Sequence, residues 1–195
     1  MGNKIAVMLD RDGTVIVDVG YIDDPERIEI LPGAVEAIVR LNEAGILAIL
    51  ISNQSGVARG LLSIERAREI DSAVLELFAQ RGARIDASYF CPHHPDAVVP
   101  EFRADCRNRK PNPGMAERAA EEHDIDLRAS FVVGDKFSDL QLALNIGAEG
   151  ILVRTGEGEA TEAGFRETTK VPVFDTVSGA VGYILSKIVV ETIDV

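Results

Sequence analysis

The chain has no long apolar run, no basic block and almost no cysteine, and each shortage removes a class of function. Its longest apolar stretches, Ile46 to Ile51 and Ile188 to Val190, fall far short of the roughly 20 residues needed to span a bilayer. The N-terminus lacks the basic-then-apolar layout of a secretory signal, and Ala6 stands where a myristoylation motif wants Ser or Thr. With 20 Lys and Arg against 32 Asp and Glu, the formal charge is −12, so nothing neutralises phosphates in bulk. Nucleic-acid backbones and anionic membrane surfaces are therefore disfavoured as partners, whereas a small anionic substrate stays compatible if a few cations are concentrated locally. Two cysteines without a secretion signal argue against a disulfide framework. The expectation is a monomeric cytoplasmic protein.

What is present is enough for one buried core: 195 residues, 46% apolar, with no shift in composition that would divide residues 1–195 into two domains. Short β-rich runs alternate with helical patterns. The strands are expected at Ile5 to Leu9, Leu47 to Ile51, Ala87 to Phe90, Ser130 to Val133 and Gly150 to Val153. Between them, helices are expected near Ala34 to Glu43, Ile64 to Gln80, Gly114 to Glu122 and Leu140 to Asn145, and an amphipathic helix from Ser178 to Val190 closes the chain. Strands that are apolar almost throughout fit a parallel sheet covered on both faces, which predicts a doubly wound α/β fold. Gly45, Gly82 and Gly147 stand where helices should stop and Ser63 where one should start, while the Gly-rich stretch from Gly156 to Gly164 reads as a loop.

In such sheets, ligands sit outside the carboxyl ends of the strands. The first predicted strand runs into Asp10-Arg11-Asp12-Gly13, the second into Ser52-Asn53-Gln54-Ser55, and a later one into Gly134-Asp135-Lys136. A lone D-x-D-G is equally at home in a turn, but three polar clusters on one edge indicate a shared pocket. In extended backbone Asp10 and Asp12 project to the same side and Arg11 away from them. Carboxylates crowded in this way repel one another unless a divalent cation lies between them. Asp10, Asp135 and the backbone carbonyl of Asp12 would offer Mg²⁺ oxygen ligands, and Lys110 with the Ser52 hydroxyl would hold a phosphate. This is equipment for phosphoryl transfer. Asp139 is expected to cap the following helix or orient Lys136, and His94 and His123 are expected at the surface.

The order D-R-D-G-T, S-N-Q, R-K-P, G-D-K-x-x-D resembles the four motifs of the haloacid dehalogenase superfamily of aspartate-nucleophile phosphatases. Further matches at Asp18 to Tyr21, Asn53 to Gly60, Cys91 to Pro95 and Arg109 to Met115 resemble its heptose bisphosphate phosphatase group, whose near relatives act on histidinol phosphate. The resemblance implies Asp10 as nucleophile, Asp12 as general acid and base, Ser52 and Lys110 on the transferring phosphoryl group, Arg109 and Lys136 on the substrate, and Mg²⁺ at Asp10, Asp12 and Asp135. It extends the contact surface for a small phosphorylated sugar to Arg11, Asp18, Val19, Gly20, Tyr21, Asn53, Gln54 and Ser55. No segment between Gly13 and Ser52, or between Ser52 and Arg109, is long enough for a large cap domain.

A zinc loop is also implied. Cys91-x-His93 and Cys106-x-Asn108 resemble the two halves of the loop in the heptose phosphatases, with Asn108 where the last cysteine should be. An amide oxygen is a poor substitute for thiolate. Zinc completed by water or a carboxylate, weakly held zinc, and no metal all stay open. A phospho-accepting receiver domain shares aspartates, Mg²⁺, Thr or Ser and Lys at the end of a parallel sheet. Its nucleophile lies on a later strand than its acidic pair, and it has no use for an acid such as Asp12 beside the phosphorylated residue.

Overall fold

The computed structural model describes residues 3–164 and 171–193. Strand β1 (Ala6–Leu9) is buried at every position because helices lie against both of its faces. Side chains alternate across the pleat. Val7 and Leu9 join one core with residues of α1 (Ala34–Glu43), α3 (Ile64–Ala79) and α7 (Val177–Ile193), while Ala6 and Met8 join a second core with residues of α4 (Gly114–His123) and α5 (Phe137–Ile146). A fully buried leucine such as Leu9 contributes roughly 1.5–3 kcal/mol through this burial.

The remaining strands are β2 (Leu47–Asn53), β3 (Ala87–Cys91), β4 (Phe131–Gly134), β5 (Glu149–Val153) and the two-residue β6 (Val173–Phe174). All pairings are parallel, in the order β3-β2-β1-β4-β5-β6. The doubly wound α/β fold is therefore present. The chain winds outward through β2 and β3, then returns to lay β4 against the other side of β1, with Leu9 level with both Leu50 and Val133. That reversal opens a crevice beyond Leu9 and Val133, where this architecture binds ligands.

Ser63 caps α3 by accepting from the Arg66 N–H at 3.1 Å. Gly45, Gly82 and Gly147 follow α1, α3 and α5 with φ of 71°, 82° and 73°, in the left-handed conformation that glycine adopts without strain. Between Gly13 and β2 there are only a 3₁₀ turn (Pro25–Arg27) and α1, and between β2 and Arg109 only α3, β3 and two short helical turns, so no large cap domain stands over the crevice. No helix among the described residues is long and apolar enough to cross a membrane.

Besides β6 and the 3₁₀ turns, two short helices fall outside the sequence expectation. A four-residue helix, α2 (Ser55–Ala58), follows β2 directly. The stretch expected as a Gly-rich loop holds α6 (Gly158–Gly164), since its interior Glu-Ala-Thr-Glu-Ala favours helix and Arg154 ties Glu162 back to the end of β5 at 2.6 Å.

Candidate active site

Past Leu9 the backbone leaves the sheet and turns, with the Arg11 carbonyl accepting from the N–H groups of Val15 at 3.0 Å and Ile16 at 3.1 Å. Gly13 makes the turn possible at φ 87°, and it is also required by space. A Cβ there would lie 2.4 Å from a carboxylate oxygen of Asp135. Gly13 thus lets the turn after β1 pack directly against Asp135 at the end of β4.

Asp10 is 5% exposed and accepts from the Arg11 N–H at 2.8 Å and from Lys110 Nζ at 2.7 Å. The same ammonium donates to the Ile51 carbonyl at 2.8 Å and pairs with Asp139 at 2.7 Å, so oxygens hold it on three sides. Lys110 is delivered by Asn53, whose amide donates to the Lys110 carbonyl at 3.0 Å and accepts from its N–H at 2.9 Å. Asp139 caps α5 through the Lys136 N–H at 3.0 Å, as the sequence suggests, and also fixes Lys110, which the sequence does not reveal.

Asp10, Asp135 and Asp139 are buried, and oxygens from the three lie within 4.8 Å of one another. Burial, reinforced by the charge of Asp10, pushes the Asp135 carboxyl up to about 7, against the pull of Lys136 and the Glu157 N–H. Burial likewise raises Asp139 against the pull of Lys110. For Lys110, burial alone would lower the ammonium, yet Asp10 and Asp139 together raise it. Such a crowd of buried carboxylates, with Asp135 pushed toward neutrality, is the donor set and electrostatic setting that suits a divalent cation.

Asp12 has a different setting. Its carboxylate accepts from Gln54 Nε2 at 2.7 Å, and Gln54 also donates to the Ser52 hydroxyl, so Asp12 and Ser52 are joined through one amide. Arg11 does not point away from Asp12. With the backbone no longer extended, its guanidinium bonds Asp12 at 3.0–3.3 Å and is only 2% exposed.

A cleft of about 390 Å³ opens above this floor. Of the expected contact residues, Asp12, Asp18, Gly20, Tyr21, Asn53, Gln54, Ser55, Arg109, Lys110 and Lys136 line it. Asp10 and Ser52 lie buried at its base, while Arg11 and Val19 are outside the lining. Glu157 and Ser138 line it without sequence warning, since Glu157 lies outside the motifs and Ser138 occupies a variable position of G-D-K-x-x-D. At the rim, Lys136 pairs with Asp18 at 3.1 Å and Glu157 at 3.7 Å, while Arg109 donates to the His93 carbonyl at 3.1 Å and has no carboxylate partner among the described residues.

The 91–108 loop brings Cys91, His93 and Cys106 together, with ligand atoms within 4.8 Å and Cys91 Sγ 3.8 Å from His93 Nδ1. Burial raises the Cys91 thiol to about 12. No fourth His, Cys, Asp or Glu joins them among the described residues, and Asn108 places its Oδ1 beside Gly114.

An anionic nucleophile candidate beside a fixed ammonium, a second carboxylate on the cleft wall and a metal-suited acid pair together can perform phosphoryl transfer. The comparisons agree. A family described as HAD-hydrolase-like matches residues 107–180. The D-glycero-beta-D-manno-heptose-1,7-bisphosphate 7-phosphatase of Yersinia pestis is 46% identical over 162 residues, 80% of this chain and 86% of that protein. The D-glycero-D-manno-heptose-1,7-bisphosphate 7-phosphatase of Thermosynechococcus vestitus is 42% identical over 185 residues, 92% of this chain and 94% of its own. Among solved structures, the D,D-heptose 1,7-bisphosphate phosphatase of B. bronchiseptica, complexed with magnesium and phosphate, superposes with a TM-score of 0.82 at 35% identity, covering 94% of this chain and 99% of that one. This chain is a phosphoric monoester hydrolase, and it belongs to the heptose bisphosphate phosphatase family of haloacid dehalogenase-like enzymes.

Proposed function

We propose that residues 1–195 form a single phosphatase domain that removes the 7-phosphate of D-glycero-D-manno-heptose 1,7-bisphosphate through an aspartyl-phosphate on Asp10. The observation that carries the mechanism is the difference between the two first-motif carboxylates. Asp10 is held at the floor by Lys110 at 2.7 Å, while Asp12 stands on the cleft wall. In the first step an Asp10 oxygen attacks phosphorus, the bond from phosphorus to the sugar oxygen breaks, and Asp12 gives its proton to that oxygen. In the second, Asp12 takes a proton from water as the water oxygen attacks the same phosphorus, and Asp10 leaves as a carboxylate. Lys110 and the Ser52 hydroxyl neutralise and orient the transferring group.

Asp10 and Asp135 through their side chains, and Asp12 through its backbone carbonyl, would hold Mg²⁺. When bound, the ion would neutralise charge on the phosphoryl oxygens. In the 91–108 loop, three of the four usual donors fit zinc, so we read it as a weakly retained site. Asn108→Cys is expected to raise the zinc content found by elemental analysis, and unchanged content contradicts that reading.

The substrate assignment rests on family membership and on the rim. A bisphosphate needs an anchor for the phosphate that is not being transferred, and Arg109 is a cation without a carboxylate partner among the described residues, with a planar fork that can bind two phosphate oxygens. Histidinol phosphate carries an amine that this cation repels. Steady-state kcat/KM for heptose bisphosphate, histidinol phosphate and common sugar monophosphates tests the assignment. The bisphosphate is expected to lead, and a preference for histidinol phosphate would overturn it.

A further inference from the structure

Behind Asp12 lies a buried chain of charge that the mechanism above does not use. Arg11 is 2% exposed, and its Nε and Nη2 donate to the Asp12 carboxylate at 3.0–3.3 Å. Its remaining nitrogen, Nη1, has no hydrogen-bond acceptor and lies 4.0 Å from the carboxylate of Asp71 on α3. Asp71 is itself 9% exposed and is fixed from the neighbouring strand β3, where the Ser88 hydroxyl donates to it at 2.8 Å. The order is therefore Ser88, Asp71, Arg11, Asp12, then the cleft.

A buried guanidinium is costly unless carboxylates surround it, and here one carboxylate lies on each side. The two differ in kind. Asp12 faces two donors of the fork, Nε and Nη2, each 3.0–3.3 Å from both of its oxygens, a crossed contact that holds the carboxylate in place against the guanidinium, whereas Asp71 acts by charge on the remaining nitrogen. A general acid must present its proton along a line to the leaving oxygen, so the orientation of Asp12 is a catalytic quantity. Gln54 bonds the same carboxylate at 2.7 Å but also serves Ser52, so it does not hold the carboxylate alone.

We propose that Asp71 and Arg11 are positioning residues for the proton-transfer carboxylate, with Asp71 holding Arg11 and Arg11 aiming Asp12 at the leaving group. The inference rests on Asp12 being the general acid, and the test separates the two statements. The measured quantity is kcat/KM, which reports departure of the leaving group and not the later hydrolysis, for an alkyl phosphate with a poor leaving group and for 2,4-dinitrophenyl phosphate, whose leaving group needs no proton.

Asp71→Asn keeps the shape and the Ser88 contact but removes the charge facing Arg11. It is expected to lower kcat/KM for the alkyl phosphate about tenfold and for the dinitrophenyl ester less than about twofold, part of the roughly 10²–10⁴-fold that a positioned acid supplies. Arg11→Lys, which keeps the charge and loses the fork, should show the same split more strongly. Ser88→Ala serves if Asp71→Asn fails to fold, since it loosens Asp71 without leaving a new charge unpaired, and it should shift the ratio in the same direction. Asp12→Asn is the control. If it lowers both substrates equally, the acid assignment fails. If it splits them while Asp71→Asn, Arg11→Lys and Ser88→Ala lower both in parallel or leave both unchanged, Asp71 and Arg11 have a structural role only and the positioning inference is overturned.

Discussion

The floor and the rim of the cleft are both built from carboxylates facing a lysine, yet they differ in what surrounds them. On the floor, Asp10, Lys110, Asp135 and Asp139 are each no more than 5% exposed, and Lys110 donates to the Ile51 carbonyl and pairs with two carboxylates. At the rim, the side chains of Lys136, Asp18 and Glu157 are 30%, 21% and 65% exposed, and the pairs run to 3.1 and 3.7 Å. Charge interactions strengthen several-fold when water is excluded, while solvated pairs are worth at most about 1 kcal/mol. The same chemistry therefore has two uses. Changes to the floor should abolish turnover of every substrate, whereas changes at the rim should alter which substrate is preferred.

Asp10→Asn should produce the largest effect, a loss on the order of 10⁴-fold or more on aryl and sugar phosphates alike, because the amide keeps the shape but lacks the nucleophilic charge. A loss confined to sugar phosphates would erase the distinction between floor and rim. Arg109→Ala sharpens the contrast from the other side. About a tenfold fall in kcat/KM for the bisphosphate, with a small aryl phosphate spared, marks it as an anchor, since a charge-assisted contact is worth roughly 1.5–3 kcal/mol. An equal fall on both substrates would place Arg109 with the floor.

A smaller effect concerns stability. The Asp135 carboxyl lies at about 7 in the folded protein against an ordinary 3.8, so the metal-free fold binds more protons than the unfolded chain between those values. Its stability should then fall as pH rises from about 4 to about 7, the sign expected for a raised acid. A cation at Asp135 removes that cost, so magnesium should raise the thermal midpoint more at about pH 8 than at about pH 5. Equal shifts at both pH values would indicate that magnesium does not bind beside Asp135.

How much of this was legible in the sequence divides along similar lines. Strands β1 to β5 announce themselves as apolar runs, and Asp10, Ser52 and Asp135 follow from the rule that ligands gather at strand ends. The chain also carries enough of the family motifs to place Lys110. What escaped are contacts between distant segments. Asp71 lies mid-helix with no motif around it, and its meeting with Arg11 depends on how α3 packs beside β3. Arg11 departs from the alternation expected of extended backbone because the chain already turns beyond Leu9. The second role of Asp139 stayed hidden because Lys110, its partner, is 29 residues away. Helix α6 was obscured by glycines at its ends, and β6 has only two residues to show a pattern.

The central claim is that the floor carboxylate Asp10 is phosphorylated during turnover. Rapid acid quenching of the magnesium-loaded wild-type enzyme with a dinitrophenyl phosphate, followed by peptide mass analysis, tests it most directly. A phosphoryl group on Asp10 that forms within the first turnover and disappears as fast as product accumulates is the predicted result. A competent enzyme that shows no phosphorylated Asp10 under those conditions, or that carries the group on another residue, would contradict it.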